Sequence, residues 1–252
     1  MTNSIGKPIT YQMKTLCKLS LSEGRTLIAA ISANVQKIDT IQGLTHGVLS
    51  GRVNSKDGAL NSNFNGRADV TIYDKVSSVT TRGNGGQKPF IYQDYSSVLY
   101  KGTVNVENGV FNSEFVIPSD IRYDFGKGRI TLFSSSDSSV AFGYNNSYTI
   151  GGLDPKADID EEAPGLEVYL NSKSFVNGSK CGTSPLFIAR VFDEEGINTA
   201  GTGIGHDLLL TIDDDPYKTF VLNNSFAFDL GSYQSGEVRY QLSSLSPGMH
   251  TV

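Results

Sequence analysis

Short apolar runs, each closed by turn residues, recur through most of this chain, and this pattern most limits what the chain can fold into. Many runs alternate apolar with polar residues, as residues 98–106 do (VLYKGTVNV), and a period of two is typical of a strand with one buried face. We predict strands at 47–53, 68–73, 98–106, 110–117, 129–133, 147–150, 166–170, 185–192, 207–212, 218–222 and 237–242. Glycine supplies 27 of the 252 residues for turns, and Tyr and Phe, which favour strands, supply 12 and 13. The sequence therefore predicts an all-β protein and excludes an all-α bundle.

Two local signals refine this prediction. Asn108-Gly109 lies between two predicted strands, and this dipeptide favours the type I′ turn of a hairpin, so residues 98–106 and 110–117 are predicted to pair antiparallel. Pro118 ends the second of these strands because proline has no N–H for a strand ladder. Residues 26–41 are the one segment where a short helix competes with strand, since their β-branched residues weaken the helix.

Residues 151–164 differ from the segments on either side, because they show no apolar period and carry five carboxylates against one lysine. Such a composition is typical of a solvated linker. We therefore predict two tandem β-sandwich domains: a β-sandwich at 1–150, an acidic linker at 151–164, and an immunoglobulin-like β-sandwich at 165–252 without the Cys-Trp-Cys core of antibody domains. A Pro-Gly turn at 247–248 begins a further segment that stops at Val252, so the second sandwich is expected to be truncated at its C-terminal end.

Charge and hydropathy exclude two kinds of partner. The chain has 21 Lys and Arg against 26 Asp and Glu, a net charge of -5, and no basic block that would follow a phosphate backbone, so we expect no nucleic-acid binding. No apolar run approaches the ~20 residues of a membrane span. The N-terminal residues lack the basic and apolar regions of a secretory signal, so export is expected only if this segment belongs to a longer precursor.

The cysteines give no nucleophile motif. Cys17 and Cys181 are the only two, and the sequence leaves open whether they form a disulfide or remain separate thiols. A catalytic cysteine needs a histidine near it in space, and the three candidates are His46, His206 and His250. Neither cysteine lies in a segment that marks a nucleophile, so we predict no catalytic residue.

Carboxylates and tyrosines are the remaining candidate ligand groups. The acidic candidates for Ca²⁺ are a triplet directly after a predicted strand, Asp213, Asp214 and Asp215, and the linker group Asp154, Asp158, Asp160, Glu161 and Glu162. A solvated turn and a solvated linker are the more common roles of such residues, and we favour them. His206 beside Asp207 offers two ligands, fewer than a zinc site needs, and is interpreted as a histidine bonded to its turn. Tyr92, Tyr95 and Tyr100 are candidates for a sugar-stacking platform, although tyrosines in strands more often belong to the core or form cross-strand pairs. No cofactor other than Ca²⁺ is suggested.

Several longer segments resemble a known family. The quoted segments are FIARVFDEEGINTAGTGIGHD at 187–207, IDDDP at 212–216, VLNNSF at 221–226, GEVRY at 236–240, LSPGMH at 245–250, DTIQGL at 39–44, FNGRADVTIYDK at 64–75, VFNSEFVIPSDIRY at 110–123 and APGLEVYLN at 163–171. From about residue 36 to the end, the chain is similar to the region that follows the catalytic domain of type IX secretion sortases. These are gingipain-family cysteine peptidases that remove C-terminal sorting signals at the outer membrane.

The resemblance implies a non-catalytic β-sandwich region. The family's catalytic His and Cys belong to an upstream caspase-like domain, and no segment here matches the sequence around them, so no catalytic residue is carried over. The implied partners are the peptidase domain of the same polypeptide and secretion-system outer-membrane proteins or secreted cargo. The implied location is the outer membrane, the cell surface or the periplasm. The alternative function, suggested by tandem sandwiches and tyrosines, is a surface adhesion or carbohydrate-binding module.

Overall fold

A computed structural model describes residues 26–28, 30–35, 40–157, 162–198 and 207–252 of the chain, and for the first two ranges only the backbone. Strands form nearly all the regular structure of these residues, and the helical pieces among them are two 3-10 turns, Pro216–Lys218 and Asn223–Ser225. The predicted all-β class is therefore confirmed.

The first thirteen strands precede the acidic segment. They are β1 Thr26–Ile28, β2 Ala30–Val35, β3 Thr40–Gly43, β4 His46–Asn54, β5 Gly66–Tyr73, β6 Ser77–Thr80, β7 Ile91–Asp94, β8 Val98–Val106, β9 Val110–Val116, β10 Gly126–Lys127, β11 Arg129–Ser135, β12 Ser139–Asn145 and β13 Thr149–Leu153. The segment at 26–41, where helix and strand competed, forms strands over its described residues. Its β-branched residues fit a pleated sheet better than a helix.

Two sheets of this first unit face each other across one hydrophobic core. The larger sheet has the strand order β1-β12-β11-β5-β8, and the smaller has the order β2-β4-β9. Alternate residues of β5, such as Val70 and Ile72, point inward and are fully buried, and Leu49 and Phe115 of the smaller sheet belong to the same core cluster. A third sheet, β10-β13-β3, adds Ile150 to that cluster. The first unit is thus a β-sandwich.

The turn at Asn108-Gly109 forms as predicted, but the pairing predicted around it is wrong. Both residues have positive φ, 51° and 77°, and Glu107 bridges Val110 across the turn. Beyond that single bridge the strands separate, because β8 pairs with β5 in one sheet and β9 pairs with β4 in the other. Each strand carries an apolar stripe, and the two stripes bury each other across the core instead of lying side by side in one sheet.

Two glycines of β4 make room for phenylalanine rings of β9. Gly47 is directly opposite Phe115 and Gly51 is directly opposite Phe111. A methyl group at Gly51 would lie 2.0 Å from the Phe111 ring, closer than any real contact. Both rings are buried, so the absence of a side chain at these glycines is required by the packing of the sandwich.

The remaining strands form a second, smaller unit. They are β14 Gly165–Leu170, β15 Leu186–Phe192, β16 Leu209–Thr211, β17 Thr219–Val221, β18 Phe226–Phe228 and β19 Ser235–Gln241. A four-stranded sheet, β14-β15-β19-β18, packs on the hairpin β16-β17 through a separate core that includes Phe187, Val238, Leu210 and Leu222. β13 extends to Leu153, so the first three residues of the predicted linker are strand. The predicted domain boundaries otherwise stay a prediction.

The hairpin formed by β18 and β19 of the second unit packs against the core of the first unit. Phe228, at the end of β18, packs on the first cluster with its ring 5.5 Å from that of Tyr100 in β8. Tyr233, in the loop before β19, also packs there, and its ring lies 5.1 Å from that of His46. The Gly231 amide donates a 2.8 Å hydrogen bond to a backbone carbonyl of β8. Aromatic packing and backbone pairing therefore join the two units.

An ion pair holds this hairpin in shape. Arg190 of β15 donates two hydrogen bonds of 2.9 Å to the two carboxylate oxygens of Asp229, the residue after Phe228. These bonds, with one from the Ser235 hydroxyl, hold the pKa of Asp229 below its usual value. The bidentate pair therefore places Phe228 at the edge of the four-stranded sheet that faces the first unit.

Candidate functional site

A tyrosine–arginine cluster lies on the outward face of the five-stranded sheet. It consists of Tyr73, Tyr95, Arg129 and Tyr144. Tyr73 of β5 is directly opposite Arg129 of β11, so both side chains lie on the same face. The Arg129 guanidinium carbon lies 4.1 Å from the ring centre of Tyr95 and 5.6 Å from that of Tyr144, and the rings of Tyr73 and Tyr95 meet edge to face at 6.4 Å.

Arg129 has no carboxylate partner among the described residues. The arginines that form ion pairs there are Arg122, Arg190 and Arg239. The Nε of Arg129 is buried and donates no hydrogen bond. The attraction between the cation and the two tyrosine rings stabilises this charge, and it leaves N–H donors of the guanidinium unused.

The sheet face around the cluster is unusually aromatic for a surface that is open to solvent. Tyr144 is 52% exposed, and Phe133, which lies on the same face of β11 as Arg129, is 44% exposed. Phe142 is directly opposite Phe133 on the neighbouring strand. Outward faces of antiparallel sheets are ordinarily polar, so this row of rings is a candidate binding surface.

The structure separates the three tyrosines that were candidates for a stacking platform. Tyr95 belongs to the cluster. Tyr100 is buried in the first core, where burial raises the pKa of its phenol and its ring contacts Phe115 and Phe228. Tyr92 lies on a projecting hairpin. Sequence reasoning missed Arg129 and Tyr144 because their approach depends on the register of β11 with its neighbours, which no local pattern encodes.

The projecting hairpin, hereafter the arm, consists of β6, β7 and the turn residues between them (77–94). It is a two-stranded sheet of its own, and each residue of β7 is exposed. Its register places Val79 opposite Tyr92, and Phe90 lies on the same face two residues from Tyr92. Phe90 and Tyr92 are 54% and 41% exposed, so the arm presents an apolar face to solvent.

A buried ion pair anchors the base of the arm. Asp74 and Lys75 lie just before β6, separated from it by Val76, and both side chains are almost completely buried. Lys75 Nζ lies 2.9 Å from an Asp74 carboxylate oxygen and donates a 2.6 Å hydrogen bond to the carbonyl of Arg122. The guanidinium of Arg122 in turn donates to the carbonyl of Lys75. These groups satisfy one another, so they are interpreted as structural.

Two of the three aspartates of the triplet, Asp213 and Asp215, make contacts within the protein. Asp213 Oδ2 lies 2.8 Å from Nδ1 of His250, and its Oδ1 accepts a 3.0 Å hydrogen bond from the amide of Thr251. Asp215 accepts from the amide of Tyr217 and begins a 3-10 turn. Asp213 and Asp214 both have left-handed backbone, with φ of 56° and 53°, as in a tight turn. The structure therefore uses this triplet as a turn that holds His250.

His250 has acceptors at both ring nitrogens. Its Nε2 lies 2.7 Å from the carbonyl of Ser246, and its Nδ1 faces the Asp213 carboxylate. The carbonyl and the carboxylate raise the pKa of His250, and the imidazole lowers the pKa of Asp213. Because both partners only accept, the imidazolium form with two N–H donors fits the geometry.

The other predicted ligand groups do not converge in the described part of the chain. Asp154 accepts a hydrogen bond from the amide of Lys156 in its own turn, and Glu162 is exposed. Asp158, Asp160, Glu161 and His206 lie outside the described residues, while Asp207 is described and exposed. Among the described residues, no group of three or more His, Cys, Asp or Glu side chains is arranged to hold a metal ion.

The cysteines and histidines are also apart where both are described. Cys181 is a free, exposed thiol in the loop between β14 and β15, and Cys17 lies outside the described residues, so the disulfide question stays a prediction. His46 pairs with Glu114 at 3.6 Å and stacks on Tyr233. His46 and His250 thus have partners other than Cys181.

The structure defines the chain as a tandem β-sandwich protein whose two units share an aromatic junction. A crystal structure of dimeric latent PorU from Porphyromonas gingivalis is similar to it, with 27% sequence identity and a TM-score of 0.53. The similarity covers 88% of this chain and 22% of the PorU chain, so this chain has a PorU-like fold over about a fifth of that protein's length. No protein-family model and no curated protein matches the sequence. Within the described residues, no helix has the length and apolar character to cross a membrane.

Proposed function

We propose that this chain is a non-catalytic β-sandwich region of a gingipain-like cysteine peptidase that acts as a type IX secretion sortase. The observation that carries the proposal is the similarity to PorU, which covers 88% of the chain at 27% identity. Because that coverage exceeds either unit alone, the likeness extends to both sandwiches. Fold alone does not imply function. The second support is the set of segments that resemble the sortase family, such as residues 110–123 and 187–207.

In this proposal the region is a scaffold and a docking module. The junction at Phe228 and Tyr233 ties the two sandwiches together, as a scaffold requires. The partners are the peptidase domain of the same polypeptide and secretion-system outer-membrane proteins or secreted cargo. The whole protein is then exported and acts at the outer membrane, the cell surface or the periplasm.

The positions of the thiol and the imidazoles support a non-catalytic role. A cysteine nucleophile needs a base within hydrogen-bond reach. Cys181 is exposed in a loop, whereas His46 pairs with Glu114 and His250 pairs with Asp213 and the carbonyl of Ser246. Neither described imidazole is therefore available to this thiol without breaking another contact.

A peptidase assay tests the proposal. The purified chain is incubated with a peptide that spans a C-terminal sorting-signal cleavage site, beside an active gingipain-family peptidase as positive control. We expect cleavage only by the positive control. Cleavage by the chain that is lost in Cys17→Ser or Cys181→Ser would overturn the proposal, because the nucleophile would then belong to this region.

A further inference from the structure

Arg129 is a partly buried cation that contacts aromatic rings and forms no ion pair among the described residues. Its guanidinium carbon lies 4.1 Å from the ring centre of Tyr95 and 5.6 Å from that of Tyr144. Its Nε is buried without a hydrogen-bond partner, and the arginines that form ion pairs in the described part of the chain are others. Moving a cation partly out of water without a counter-ion costs free energy. A ligand that supplies the missing negative charge would recover that cost.

The geometry of the Arg129 guanidinium determines which anionic group fits it best. A guanidinium stacked on a ring uses its flat face, whereas its N–H donors point outward in its own plane. A carboxylate accepts two of these donors side by side, which is the strongest and most specific pairing that arginine makes. The tyrosine contacts use the flat face of the guanidinium, and among the described residues no hydrogen-bond acceptor competes with a carboxylate for its terminal N–H groups.

The sheet around Arg129 favours a ring-shaped ligand over an extended peptide. β11 is hydrogen-bonded to β12 on one side and to β5 on the other, so this face offers no free backbone edge to which a peptide strand could pair. Recognition here depends on side chains. The exposed ring of Tyr144, beside Arg129, offers a flat apolar surface of the kind on which a sugar ring stacks.

We propose that the tyrosine–arginine cluster binds an acidic sugar, with its carboxylate on the guanidinium of Arg129 and its ring against Tyr144. The proposal is independent of the sortase proposal, since it needs neither a peptidase domain nor a secretion-system partner. Its chemistry is binding only, with no bond made or broken.

Calorimetric titration of the full chain tests this site, with trigalacturonic acid as the probe and maltotriose as the neutral counterpart. We expect saturable binding of the acid and no binding of maltotriose. Arg129→Gln is expected to weaken binding of the acid about tenfold or more, since it removes a charge-assisted pair. Arg129→Lys, which keeps the charge but not the planar fork, is expected to recover only part of the loss.

A matched control lies on the same sheet. Arg67 is exposed on the same face of β5, six residues from Tyr73 and therefore roughly 20 Å away along the strand. Arg67→Gln removes the same charge and is expected to leave the affinity unchanged. Equal losses in the two variants would show that only net charge matters and would overturn the site.

Three further results decide the proposal. Absence of binding of the trisaccharide by the folded wild-type chain overturns it. Arg129-dependent binding of a tri-glutamate peptide with the same affinity overturns the sugar class. If Arg129→Gln does not fold, as judged by circular dichroism, Tyr144→Ala takes its place. This residue is 52% exposed, and its loss is expected to weaken binding without unfolding the sheet, while unchanged binding would contradict the stacking role.

Discussion

The junction between the two sandwiches gives the sharpest stability prediction. Phe228 belongs by sequence to the second unit, yet its ring packs on the first core against Tyr100. Phe228→Ala removes that ring and uncovers Tyr100, but leaves the Arg190–Asp229 pair intact. We expect the two units to lose much of their mutual stabilisation, because the contact between the rings of Phe228 and Tyr100 is removed and only that between Tyr233 and His46 remains.

The size of the effect follows from the burial of the ring. A fully buried phenylalanine costs about 3–5 kcal/mol when it is cut to alanine. Phe228 is only partly buried, so we expect a loss of about 2 kcal/mol in the free energy of unfolding. For a chain of this length, that loss corresponds to a fall of roughly 4–8 °C in Tm.

Urea unfolding followed by tyrosine fluorescence measures this loss, since the chain has no tryptophan to mask the signal. The wild type should unfold in one transition and Phe228→Ala in two, one for each sandwich. Phe192→Ala is the matched control, because Phe192 lies in the same unit and is 54% exposed. The control should lose less than about 1 kcal/mol. A single transition in Phe228→Ala, with a loss below about 0.5 kcal/mol, would refute the junction.

Three further predictions concern other parts of the chain. The pKa of His250 is raised in the folded protein, so its bond to Asp213 stabilises the fold fully below the unfolded pKa of about 6.5 and less as pH rises through the folded pKa. The difference in Tm between wild type and His250→Gln should therefore shrink from pH 6 to pH 9. An equal difference at the two pH values would contradict this reasoning. Replacing residues 79–92 by Asn-Gly closes the arm with a two-residue turn, and Tm should change by less than 2–3 °C; a larger fall would show that the arm supports the sandwich. Gly51→Ala should lower the free energy of unfolding in urea by about 1–3 kcal/mol, because the new methyl group meets a buried ring. Gly182→Ala is the control and should be neutral, since no atom lies within 4 Å of its new methyl group. Equal effects of the two variants would refute the packing argument.

The sequence predicted what depends on neighbouring residues. Alternation located β8 at its observed bounds, and Asn108-Gly109 located a turn with two positive φ angles. It did not predict the partners of the strands on either side of that turn, because a turn determines only the first bridge. Which strands then pair depends on which apolar stripes face each other across the core, and that is a property of the whole sandwich.

Local sequence does not encode which strands pair, and for this reason Arg129 and Tyr144 were missed as members of the candidate site. The register of β5 beside β11 brings Tyr73 opposite Arg129, and Tyr95 contacts both of them from the loop between β7 and β8. Likewise, nothing in the short run Phe226–Phe228 indicates that its last ring packs in the other unit. The sequence suggested a tyrosine platform, whereas only Tyr95 of the three tyrosines proposed for it lies in the cluster with the unpaired arginine.

The DNA on either side of this segment tests the proposed role most directly. If the chain is the non-catalytic region of a gingipain-like sortase, the upstream DNA encodes a caspase-like peptidase domain with its His and Cys in the same reading frame. An in-frame stop codon directly before the segment, or an unrelated domain in that position, would contradict the proposal.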